Sequence, residues 1–149
     1  MSIQQGGKLF VLKGLIILCG ILLAPGLGLS QTKSCGEAGR HLQGNFEIIQ
    51  TRGGLWGYFE RSTALKEQSF LGMQADSKLQ RVVVIFKEQC SDPSTPPPDP
   101  GVLKKIDDAL DAARSINNKS VSRTPPAKIV ASVEALIKDL NAIMKILGQ

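Results

Sequence analysis

Apolar residues recur most regularly in the last quarter of the chain. Ile129, Val133, Leu136, Leu140, Ile143 and Leu147 alternate at spacings of four and three, and Val130, Ile137 and Met144 widen the stripe. This is one face of an amphipathic helix, and a band so broad belongs in a bundle core rather than a two-stranded seam. Thr124 ahead of Pro125-Pro126 predicts its start, and Gly148 its end. Leu103, Ile106, Leu110, Ala113 and Ile116 form a second stripe, opened by Asp99-Pro100 as N-cap and first-turn proline. Lys104 with Asp108, and Asp111 with Arg114, supply charge pairs on its outer side.

The first half reads less plainly. Leu42, Phe46, Ile49, Gly53 and Trp56 recur at helical spacing, as do Leu79, Val82, Val83 and Phe86. Two antiparallel helices follow; the midpoint for the reversal between them lies near residues 60–63, but Gly72 and Asp76-Ser77 are the better stop and start signals. The alternative is an α+β domain with a small sheet in residues 45–87 followed by two helices. In that reading Arg52-Gly53-Gly54 closes a hairpin between residues 45–51 and 55–60, and the β-branched run 82–86 adds a third strand. Good helix formers at 64–68 and 78–81 favour the helical reading. The expected fold is therefore all-α: a small antiparallel bundle of about four helices.

Between these halves, residues 91–100 hold five prolines and form a stiff, extended spacer. The expected organisation is a helical hairpin over 31–90, the proline-rich linker 91–100, and a C-terminal hairpin over 101–149 packed on the first as one domain.

Cysteine placement bears on the compartment. Residues 1–30 have the anatomy of a secretory signal: Lys8 and Lys13, an apolar stretch over 14–24, the break at Pro25-Gly26, and small residues before a cut after Ser30. The uncharged run from Gly14 to Leu29 is 16 residues, short of the roughly 20 a spanning helix needs. Removing 30 of 149 residues leaves 119, enough for one core. Cys19 leaves with the signal, so Cys35 and Cys90 remain as an even pair, expected to form a disulfide in an oxidising compartment. The expected location is secreted or periplasmic, with no stable membrane span after cleavage. The formal charge falls from +5 to +3 as Lys8 and Lys13 depart, too mild and too scattered for a nucleic-acid surface.

Candidate chemistry is sparse. The chain has one histidine and no Gly-x-Ser-x-Gly, His-Glu-x-x-His or phosphate-binding glycine loop. Asp107, Asp108 and Asp111 lack an EF-hand pattern and read as a solvated face. No catalytic residues, metal ligands or cofactor are assigned. Two constellations stand out. Trp56, Tyr58 and Phe59, with the chain's only Trp and only Tyr beside glycines, form a candidate binding patch, although large apolar side chains of this kind are commonly buried. His41 and Met144 fall near one end of an up-down-up-down bundle, an arrangement in which a His and a Met from the end helices would hold a ligand such as haem. Asn118-Lys119-Ser120 is a glycosylation sequon, relevant only in a eukaryotic host. The leading expectation is a non-catalytic protein with a binding or structural role in the cell envelope. Its partner would be a protein or envelope component, and self-association is compatible with the broad stripe. The alternative is a carrier of a small hydrophobic ligand or haem in the bundle core.

Overall fold

The computed structural model describes residues 34–149 apart from 93 and 97. The expected signal segment, residues 1–30, lies outside the described residues. Those described fall within one compact unit built of helices, with no strand among them. The α+β alternative is thereby excluded for residues 45–87: the segment expected as a second strand is a helix, and the run at 82–86 lies inside another.

Helix α1 spans Cys35–Gln50. Ser34 opens it with a capping box: its Oγ accepts from the Glu37 backbone N–H at 3.3 Å, and the Glu37 carboxylate accepts from the Ser34 N–H at 2.9 Å. Ala38, Leu42, Phe46 and Ile49 are its buried stripe. The periodicity that continues through Gly53 to Trp56 does not mark one helix. The chain leaves α1 at Thr51, turns through Gly53 and Gly54 with φ of 84° and 64°, and restarts as the short helix α2, Gly54–Glu60. Left-handed backbone at two successive residues ends a helix, and glycine is the residue that adopts it at least cost.

The reversal occupies residues 61–68 and ends in a single 3-10 turn, Lys66–Gln68, anchored by the buried Leu65. Helix α3 then runs over Ser69–Gln89. Gly72 and Asp76-Ser77 thus lie inside a helix rather than at a reversal. At Gly72 α2 crosses tightly against α3: a Cβ there would come within 2.7 Å of the Leu55 carbonyl oxygen. Val82 and Val83 are buried in the core, so tertiary packing overrides the β-branched preference of that run.

Helix α4, Pro100–Asn117, begins as expected. Asp99 Oδ1 accepts from the N–H groups of Gly101 at 2.6 Å and Val102 at 3.2 Å, with Pro100 in the first turn. Helix α5 spans Pro126–Ile146; its N-cap is Pro125, one residue later than the sequence suggested, so the Thr124 side chain does not cap it. The predicted stripes face inward in both: Ile106, Leu110, Ala113 and Ile116 from α4, and Ile129, Val133, Leu136, Leu140 and Ile143 from α5.

The disulfide joins Cys35, the first residue of α1, to Cys90, the C-cap of α3, with Cα atoms 5.1 Å apart. It closes an antiparallel α1–α3 pair. Helices α4 and α5 form the second antiparallel pair, and the two stack with α4 beside α1 and α5 beside α3. Across that junction the neighbours run the same way. His41, Asn45 and Arg52 of the first pair meet Asp107, Arg114 and Asn118 in matching order. Lys78 and Gln89 meet Asn141 and Leu147 in the same fashion. Helices α3 and α4 therefore stand at opposite corners, with the end of α3 and the start of α4 both at the disulfide end. A short link would have forced them side by side.

Candidate binding surface

The aromatic group of α2 divides between core and solvent. A helix turns about 100° per residue, so Leu55, Tyr58 and Phe59 share one face while Trp56 points away from it. Phe59 is fully buried, and Tyr58 is buried edge-on against it with ring centroids 6.1 Å apart. The Tyr58 hydroxyl donates to the Lys119 carbonyl at 2.9 Å, pinning α2 to the α4–α5 loop, and burial holds its pKa above the ordinary phenol value. Trp56 alone of the three is a surface residue, at 52% exposure. The expected patch of Trp56, Tyr58 and Phe59 is thus not one surface: two of its members are core.

Asp76 fixes the position of Trp56. Its carboxylate lies at the N-terminus of α2, accepting from the Leu55 N–H at 3.0 Å and the Trp56 N–H at 2.9 Å. Gly54 must lack a side chain for that approach, since a Cβ there would run into the carboxylate. This is an N-cap delivered from another helix, in place of the side-chain cap that Gly53 cannot give. Burial raises the Asp76 pKa, and the hydrogen bonds from Trp56, Leu55 and the Gln50 side chain only partly offset it.

Two further exposed apolar side chains come from α3: Met73 at 57%, which shares a groove with Trp56, and Phe70 at 58%, which shares another with Met73. Two grooves meet at Met73 and Ser77. One, of about 240 Å³, lies between α1, α2 and α3 and includes Phe46, Trp56 and Gln80. The other, of about 630 Å³, lies between α3 and α5 and includes Phe70, Gln74, Lys78, Arg81 and Met144. Lys78 Nζ donates to Asn141 Oδ1 at 2.7 Å, and an Arg81 guanidinium N–H donates to Gln149 Oε1 at 3.1 Å. Both cations are held by neutral amides. Phe70 and Met73 escape a reading of the sequence that places a chain reversal at Gly72. Once α3 is known to start at Ser69, their spacing of three puts them together, off the stripe of Gly72, Ala75, Leu79 and Val82.

His41 and Met144 are not brought together. The His41 ring lies on the α1–α4 side, its Nε2 3.1 Å from Asp107 Oδ1, whereas Met144 lines the α3–α5 groove. The acidic residues of α4 are shared out among separate partners: Asp107 with His41, Asp108 with Lys104 at 2.6 Å, and Asp111 with Arg114 at 3.0 Å. Among the described residues no cluster of His, Cys, Asp and Glu has the makings of a metal site. None of the helices described is long and apolar enough to cross a membrane. Asn118 is exposed at the end of α4, its side-chain oxygen accepting from Arg52. The chain matches no protein-family model, no curated protein and no solved structure.

Proposed function

We propose that the chain is exported, loses residues 1–30, and acts in the envelope or outside the cell as a non-catalytic helical protein that binds a macromolecular partner. The observation carrying this reading is that Trp56, Phe70 and Met73 are each more than half exposed and line two adjoining grooves that share Met73. Exposed apolar clusters with a polar rim mark interaction sites, and Trp and Met suit such sites as an anchor and an adaptable filler. The disulfide between Cys35 and Cys90 supports an oxidising compartment. The carrier reading draws no support from His41 and Met144, which face different neighbours.

The test compares the wild-type chain with a Phe70→Ser/Met73→Ser variant for capture of partners from the exported fraction of cells that make it. Both side chains are exposed, so matched thermal melts serve as the folding control. The proposal expects capture to be lost at an unchanged melting temperature. Capture that survives the double substitution contradicts it.

A further inference from the structure

We propose that the α3–α5 groove receives an acidic amphipathic segment of a partner protein, with apolar side chains on Phe70, Met73 and Met144 and carboxylates against Lys78 and Arg81. The inference rests on the binding role proposed above and names the chemistry of the occupant.

Charge is the first argument. The groove is lined by two cations and no carboxylate. Lys78 and Arg81 are each oriented by a neutral amide oxygen, which fixes the ammonium and guanidinium without neutralising them. An occupant that excludes water from this groove must bring its own negative charge or leave two cations poorly solvated. Shape is the second. The lining positions on α3 run from Phe70 to Arg81, about 16 Å of helix at 1.5 Å per residue, long enough to seat residues i, i+4 and i+7 of an incoming helix. Thioethers on both walls, Met73 and Met144, adapt to varied apolar side chains.

The same features argue against other occupants. In a symmetric dimer the patch would meet itself, and Lys78 and Arg81 would find no carboxylate of the same groove across the interface. A bilayer favours a continuous apolar face on a protruding element. Here Gln74 and Ser77 interrupt the apolar side chains in a concave groove, and their polar groups find partners on a peptide but not among acyl chains. The groove is open along one side, whereas small-molecule sites bury most of the ligand surface.

Two labelled amphipathic helical peptides with one apolar face, carrying glutamates or lysines at the polar positions, test this by fluorescence anisotropy against the full chain. Phosphatidylglycerol vesicles and a concentration series of the protein alone accompany them. The acidic peptide is expected to bind about tenfold more tightly at low salt, with the difference shrinking as salt is raised. A Lys78→Glu/Arg81→Glu variant should reverse the preference at an unchanged melting temperature. Equal binding of the two peptides, binding of neither, or a preference untouched by charge reversal overturns the inference. Vesicle binding or dimerisation lost on Met73→Ser also overturns it, assigning the groove to a bilayer or a second copy. If partner capture depends on Phe70 and Met73 while peptide charge has no effect, only the acidic-segment inference falls. If capture ignores both residues, the binding surface itself falls.

Discussion

Gly72 sets how close α2 can lie to α3. With the Leu55 carbonyl oxygen 2.7 Å from where its Cβ would be, Gly72→Ala must push the two helices apart, because the obstructing atom is backbone. Equilibrium urea unfolding should show a loss of about 1–3 kcal/mol, the range for overpacking a close contact. A small gain, as expected for removing glycine from an ordinary helix interior, would show that the crossing is looser. Tyr58→Phe keeps the packed ring and removes the bond to Lys119, so it should cost about 1 kcal/mol by the same measurement. Asp76 gives a pH signature. Its folded pKa is raised by burial above the ordinary 3.8, so its contribution is fully present below that value and is lost as pH rises through the folded pKa. The stability of the wild type relative to Asp76→Asn should therefore fall as pH is raised from acid toward neutral; a difference that stays flat would contradict the burial of this carboxyl. These roles were hidden in the sequence for one reason. Gly72 and Asp76-Ser77 resemble a turn because turns use the same residues, and only the approach of a second helix gives them another purpose.

At the level of elements, the two halves differ in how far local signals suffice. Helices α4 and α5 were legible because stripe and prolines agree; Asp99 caps α4 as its position suggested, although Thr124 does not cap α5. In the N-terminal half a coincidence of register misleads: Gly53 and Trp56 fall in phase with Leu42, Phe46 and Ile49, although left-handed backbone at Gly53 and Gly54 separates the helices. The capping box Ser34-x-x-Glu37 that opens α1 stands in the sequence but was passed over as a helix start. Ser34→Ala should lower stability by about 1 kcal/mol in urea unfolding. No loss would mean that the disulfide next to Ser34 already holds this end of α1.

The arrangement of the whole molecule was the least accessible from periodicity. A broad apolar stripe says that a helix is buried, but not which neighbour covers it. The neighbours it has are marked by contacts between residues far apart in the chain, such as His41–Asp107 and Lys78–Asn141, which periodicity does not reveal. The all-helical bundle and its disulfide were expected; the parallel pairing across the two hairpins was not. Closing the loop from Cys35 to Cys90 should stabilise the fold by about 4 kcal/mol on the chain-entropy account. Replacing both cysteines with serine should lower the unfolding free energy by an amount of that order. The candidate surface was half legible for a related reason: Trp56 was singled out as an aromatic beside glycines, yet its companions Phe70 and Met73 come from α3 rather than from Tyr58 and Phe59. The central claim, that this surface meets a partner, is tested most directly by a photo-reactive residue at position 73 in the cells that make the protein. A second at position 48 is the control, since Ile48 is comparably exposed but lines neither groove. A discrete cross-linked species from position 73 and none from position 48 is the predicted result. Equal yields from the two positions, or none from 73, would contradict the account.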